Sequence, residues 1–148
     1  MDYMHDAIEE ALKGIRAGDG GPFGAVIVKE GRIVGRGHNS VIRDQDATMH
    51  GEIVAIRDAS RTLGTFDLSG CTLYSTAEPC PMCLCASMWA NIDRIYFGCN
   101  RVDTEGIGFR DNNFYEAICN PGERVQELGR DRCLRLFKEY ERMDKTLY

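Results

Sequence analysis

The hydrophobic positions of this chain change period several times, and each period predicts an element. Met4, Ala7, Ile8, Ala11, Leu12 and Ile15 recur at helical spacing, with Asp6, Glu9, Glu10 and Lys13 opposite them. That pattern predicts an amphipathic first helix. Gly18-Asp19-Gly20-Gly21-Pro22 stops it. The apolar run Ala25 to Val28 predicts a short buried strand over 24–29, and Glu30-Gly31 a tight turn into a second strand over 32–38. Ile53, Ile56 and Leu63 share a face of a second helix that starts near His50, with Thr48 as its N-cap, and ends at Leu63-Gly64-Thr65. A strand over 71–76, a helix over 81–90 and a strand over 94–98 complete the order α-β-β-α-β-α-β. This order predicts one α/β domain, with an antiparallel hairpin and parallel later strands covered on both faces.

Beyond Gly98 the pattern is weaker. Residues 100–108 read as a loop, 111–118 as a short helix and Asn120-Pro121-Gly122 as a turn. Cys133, Leu136, Phe137 and Tyr140 give a last helix, and a tail runs from Met143 to Tyr148. No repeat, linker or low-complexity segment interrupts the chain.

Bulk properties narrow the function class. At 148 residues the chain is one domain, long enough to bury roughly two-thirds of its unfolded surface. A net charge of −5 argues against a nucleic-acid partner, because polyphosphate affinity is carried by clusters of Lys and Arg. The densest basic stretch, Arg130 to Arg142, is interleaved with Asp131, Glu139 and Glu141, as on a solvated helix face. No apolar run reaches membrane-spanning length and the start carries no signal-peptide pattern, so a cytoplasmic protein without a membrane partner is expected. The 7 cysteines are then expected to stay reduced, with Cys71, Cys85, Cys99, Cys119 and Cys133 mostly in apolar or helical settings as small hydrophobes.

Chemistry concentrates in two short segments, His50-Gly51-Glu52 and Glu78-Pro79-Cys80-Pro81-Met82-Cys83. A neutral imidazole and two thiolates suit a tetrahedral Zn²⁺ site, and three protein ligands leave a fourth position open for water. Cys80 and Cys83 fall on one face of a helix, and Pro81 fits its first turn. The positive end of that helix favours thiolate. A carboxylate at Glu52 can carry a proton from water to a leaving nitrogen. Other readings exist for each piece: a redox C-x-x-C, or a structural zinc with Cys71 as fourth ligand.

Taken together, the two segments match the H-x-E…P-C-x-x-C signature of zinc nucleobase deaminases. With Gly20-Gly-Pro-Phe-Gly-Ala-Val, Gly37-His-Asn39, Ala55-Ile-Arg57, Trp89-Ala90 and Gly108-Phe109 followed by Asp111, the chain resembles the cytidine-deaminase superfamily, and in it the bacterial guanine deaminase branch. The resemblance implies a three-layer α/β/α sandwich with a mixed sheet of about five strands. It implies Zn²⁺ on His50, Cys80 and Cys83, and Glu52 as the catalytic proton shuttle. It implies a free nucleobase as substrate, guanine first, with Asn39 hydrogen-bonding the base, Phe23 stacking on it, Asp111 facing its exocyclic amine region and Tyr148 capping it. Gly51 and Trp89 complete the implied substrate-binding set. It further implies a homodimer in which residues from about 120 to 148 swap between subunits.

The chain departs from that branch at Gly51, where Ala is usual, at Arg110, where a second acidic residue is usual, and at Ala117, where Glu is usual. Cytosine or another amino-heterocycle is therefore the alternative substrate. Deamination of tRNA adenosine and a non-catalytic zinc-binding module are two further readings. The acidic composition weighs against the first and the intact Glu52 against the second.

Overall fold

In the computed structural model, which describes residues 1–148 apart from the side chain of residue 123, α1 spans Tyr3–Ala17 and is followed by the hairpin β1 (Gly24–Lys29) and β2 (Arg32–His38). Asp2 caps α1 by accepting from the His5 amide, and Gly18 closes it in the left-handed conformation. The hairpin turn places Glu30 at φ 49° and Gly31 at φ 75°, the positive angles that a two-residue hairpin connection requires. A one-turn helix α2 (Val41–Asp44) precedes α3 (Gly51–Leu63), and β3 (Cys71–Ala77), α4 (Pro81–Trp89) and β4 (Arg94–Cys99) follow.

The sheet order is β2-β1-β3-β4, with β1 antiparallel to both neighbours and β3 parallel to β4. Four strands are present among the described residues, one fewer than the resemblance implied. After Cys99 the chain turns to helices instead: α5 (Arg101–Gly106), α6 (Asp111–Ala117) and α7 (Arg130–Glu141), with a 3₁₀ turn over Gly122–Arg124.

Central strand β1 is buried on both faces, which is why it reads as a continuous apolar run. Ala25 and Ile27 join Leu73, Cys71, Leu68, Ala55 and Ala59 in one core, and Val26 and Val28 join Ala7 in the other. Fully burying side chains such as Ile27, Leu68 and Leu73 contributes about 1.5–3 kcal/mol each. Helix α1 covers one face of the sheet; α3 and α4 cover the other.

Backbone approaches backbone between β2 and α3. A Cβ on Gly37 would lie 2.6 Å from the Gly51 carbonyl oxygen and from the Ala55 nitrogen, so only glycine permits the contact. This close approach brings the N-terminus of α3 to the end of β2. The N-terminus of α4 arrives beside it from the end of β3.

Three local expectations change. Thr48 does not cap α3: its amide and hydroxyl both bond Asp46, at 2.8 and 2.7 Å, and His50 stands at the cap position. The expected loop over 100–108 contains α5, started by a capping box in which Asn100 accepts from the Asp103 amide and Asp103 from the Asn100 amide. Cys85, Cys99, Cys119 and Cys133 are exposed rather than apolar filling.

Candidate active site

Helices α3 and α4 aim their N-termini at one place. His50 and Cys80 each occupy an N-cap position in extended conformation with no side-chain capping bond, which leaves both side chains free to turn outward from the helix ends. Cys83 follows one turn into α4. The ligating atoms of His50, Cys80 and Cys83 all lie within 4.8 Å of one another, and His50 Nδ1 stands 3.6 Å from Cys80 Sγ. One imidazole and two sulfurs at that separation fit a tetrahedral zinc, whose bonds to nitrogen and sulfur are about 2.0–2.3 Å. Cys71 is not part of the cluster; it lies at the opposite end of β3, sealed in the core.

The electrostatics suit a cation. A hydrogen bond from the Cys83 thiol, joined by His50, lowers the Cys80 thiol to about 4. The same bond and burial push the Cys83 thiol upward. His50 is raised, first by its contact with Cys80.

Glu52 sits in the first turn of α3, 6% exposed. Burial raises its carboxyl above the usual range. Ser75 Oγ donates to Glu52 Oε1 at 3.2 Å. Ser75 escaped the sequence reading, although a signal existed: it occupies a core-facing position of β3, in alternation with Cys71, Leu73 and Ala77.

Asn39, Phe23 and Gly51 are contiguous. The Asn39 amide donates to the Phe23 carbonyl at 2.8 Å, and a Cβ on Gly51 would stand 3.0 Å from that same carbonyl oxygen. Asn39 is 4% exposed and does form an Asx turn, its Oδ1 accepting from the Val41 amide at 3.2 Å. The Phe23 ring meets Phe109 edge-on, centroids 4.8 Å apart, so Phe109 joins this group too. Asp111, at the start of α6, is half-buried; its carboxyl is raised first by burial and then by the charge of Cys80, and lowered by that of His50. Asp111 thus lies in the field of the cluster.

A latch holds α6 there. Tyr115 Oη donates to the Pro79 carbonyl at 2.5 Å, and the Arg101 guanidinium lies over the Tyr115 ring at 4.3 Å. Arg101 also pairs with Glu78, Nε to Oε1 at 3.2 Å and backbone amide to Oε2 at 3.1 Å.

Trp89 and Tyr148 are not brought to the cluster within one chain. Trp89 ends α4, about 9 Å along the axis beyond Cys83, and is 67% exposed. Tyr148 packs there, 6.0 Å from the Trp89 ring and 6.0 Å from Phe66. Trp89 and Tyr148 thus meet at the C-terminal end of α4, and the ligating side chains of Cys80 and Cys83 stand at its N-terminal end.

The family described as the cytidine and deoxycytidylate deaminase zinc-binding region matches residues 1–99. A guanine deaminase of Bacillus subtilis is 43% identical over 121 residues, 82% of this chain and 78% of that protein. A tRNA-specific adenosine deaminase of the same organism is also 43% identical, over 65% of this chain and 59% of that protein. The X-ray structure of guanine deaminase from Bacillus subtilis superposes with a TM-score of 0.93 at 35% identity, covering 100% of this chain and 99% of that one.

Proposed function

The chain belongs to the cytidine and deoxycytidylate deaminase zinc-binding family and is a zinc-dependent hydrolytic deaminase; we propose that its substrate is a free nucleobase, guanine in the first place. His50, Cys80 and Cys83 hold the metal, which fits the mutual reach of their ligating atoms. Zinc, when bound, supplies the Lewis acidity that makes water a nucleophile near neutral pH.

The chain's own residues handle the protons and the base. Water adds to the carbon bearing the amino group, Glu52 takes its proton and delivers it to the ring nitrogen, and a second transfer goes to the amine as it leaves. The products are the oxo base and ammonia, with no change of oxidation state. A carboxyl raised by burial is a better proton acceptor than an exposed one, and Ser75 fixes its orientation. Asn39 contacts the base, and Phe23 packs against its ring.

The observation that carries the guanine reading is Asp111 at the start of α6, the helix that Tyr115 ties to the Pro79-Cys80 loop. A carboxylate there is a fitting acceptor for the N–H groups on the guanidine-like edge of guanine. The end-to-end likeness to a guanine deaminase supports the same choice. The tRNA reading draws support from relatives equally identical over a shorter stretch.

We propose that two chains form the working unit. No residue of α7 is buried, and Leu136, Phe137 and Tyr140 stand exposed, as do Tyr96 and Phe97 on edge strand β4. A second copy covering these faces by exchange of residues 120–148 would bury them, and would bring a tail ending in Tyr148 over its partner's site.

Ammonia release from guanine, cytosine, isocytosine, adenine and their nucleosides tests the substrate. Guanine turning over ahead of guanosine is the expected result; cytosine turning over with guanine inert would overturn it, and a salt-sensitive shift of RNA in a gel would favour tRNA. Light scattering should give twice the chain mass. Deleting the last five residues should depress activity while zinc is retained.

A further inference from the structure

Asp19 lies in the glycine loop between α1 and β1, outside the catalytic cluster, yet it is tied to everything that flanks Asn39. Its Oδ2 accepts from His38 Nε2 at 2.8 Å and from Arg43 Nη1 at 3.3 Å. Its carbonyl oxygen accepts from the Ile42 and Arg43 amides, both at 3.0 Å. The residues bound in this way lie on both sides of Asn39 in the chain. Asp19 is itself held from α1, its amide donating to the Gly14 carbonyl at 3.0 Å.

The packing around this residue leaves little slack. A Cβ on Gly14 would meet the His38 ring at 2.7 Å, and one on Gly20 would collide with Asn39 Oδ1. The other nitrogen of His38 faces Glu10 Oε2 at 3.7 Å, and Glu10, 6% exposed, is engaged by Lys13 at 2.7 Å and Arg36 at 3.6 Å. The ring of His38 is thus wedged between two carboxylates and cannot swing without breaking its hydrogen bond to Asp19.

Asn39 has one amide atom committed and one free. Oδ1 is taken by the Val41 amide, and Nδ2 has no partner among the described residues and is not sealed in the core. A side chain with one end pinned presents the other in a fixed direction.

We propose that Asp19 is a positioning residue: through His38, Arg43 and the first amides of α2 it fixes the segment on which Asn39 presents Nδ2 to the base. The inference rests on the reading that Asn39 contacts the substrate. Asp19 touches no reacting atom, so its loss alters recognition of the base and leaves the proton-transfer step intact.

The test is steady-state deamination by the zinc-loaded enzyme, with the base that turns over fastest in the panel. Asp19→Ala should raise KM about tenfold with kcat within about twofold. Asp19→Asn keeps a carbonyl acceptor for His38 and all backbone contacts, and should hold KM to within about threefold of the wild type. Asn39→Ala should raise KM on its own, and Asp19→Ala added to it should change KM by less than about twofold, because residues acting through one contact are not additive. Full additivity in the double variant, or a fall in kcat at unchanged KM, would overturn the proposal and leave the base-contact reading standing. An unchanged KM in Asn39→Ala would overturn that reading and this proposal with it. If Asp19→Ala fails to fold, Arg43→Ala, at the exposed partner of Asp19, should raise KM with kcat held, and full additivity of Arg43→Ala with Asn39→Ala is equally fatal.

Discussion

Tyr115 donates its phenolic hydrogen to the Pro79 carbonyl at 2.5 Å, and this bond ties helix α6 to the loop that carries Cys80. Asp111 begins the same helix. The latch therefore connects the candidate base-reading carboxylate to the candidate metal loop, with Arg101 stacked on the ring as a second hold. Tyr115→Phe removes one hydrogen bond and keeps the ring, so it should cost about 0.5–1.5 kcal/mol of stability. It should also raise KM several-fold while zinc stays bound. Chemical denaturation, zinc analysis and initial rates measure the three quantities.

Glu52→Gln keeps the shape of the side chain and the Ser75 bond while removing the proton acceptor. Turnover should fall by about 10²–10⁴-fold or more, with zinc and fold unchanged. Near-normal kcat would mean that another group carries the proton. The pH profile gives an independent reading. Burial raises the Glu52 carboxyl, and the base form is the working one, so the rate should climb as pH rises through a value above the ordinary Glu range of about 4.3.

The sheet and the metal cluster were both legible because each depends on local pattern. Both strands of the hairpin begin and end where the apolar run and the Glu30-Gly31 turn place them. The His50, Cys80 and Cys83 group needs only residue type, spacing and two helix starts. Ser75 and Asp19 were not legible as site residues, because their roles arise from contacts 23 and 19 positions distant, to Glu52 and His38. Helix α5 was missed for a different reason. It is short, it ends at Gly106 and it buries only Thr104, so no apolar period announces it, although the Asn100-x-x-Asp103 box does. The contact of Tyr148 with Trp89 at the far end of α4 could not come from the sequence, since the last turn of a helix and a chain terminus meet only in three dimensions.

Asp67 makes a stability test separate from catalysis. Its carboxyl is held below the ordinary range, first by the Ser69 hydroxyl and amide and then by Asn91. The Ser69 hydroxyl bond is 2.5 Å and the Asn91 bond 3.3 Å. A depressed folded value means the carboxylate form is the one the fold prefers. Its contribution is present above the unfolded value, about 3.9, and is lost as pH falls through the folded one. Asp67→Asn should lower the melting temperature at pH 7, and the gap to the wild type should close in acid. A gap that stays constant from pH 7 to pH 3 would show that the charge is irrelevant.

Asp111→Ala tests the choice of base most directly. Removing the acceptor leaves the guanidine-like edge of guanine unpaired in the site, at a cost of about 1–3 kcal/mol. That corresponds to a loss of roughly 5- to 150-fold in kcat/KM for guanine. Cytosine has no such edge, so its weaker turnover should change far less. Asp111→Asn restores one acceptor and should recover part of the loss, which separates hydrogen bonding from a general effect of negative charge near Cys80. The two substrates should be run on the same zinc-loaded preparations, because a variant that merely loosens α6 would lower both in parallel. Equal losses would remove Asp111 from base recognition and make it a second support of the metal loop beside Tyr115.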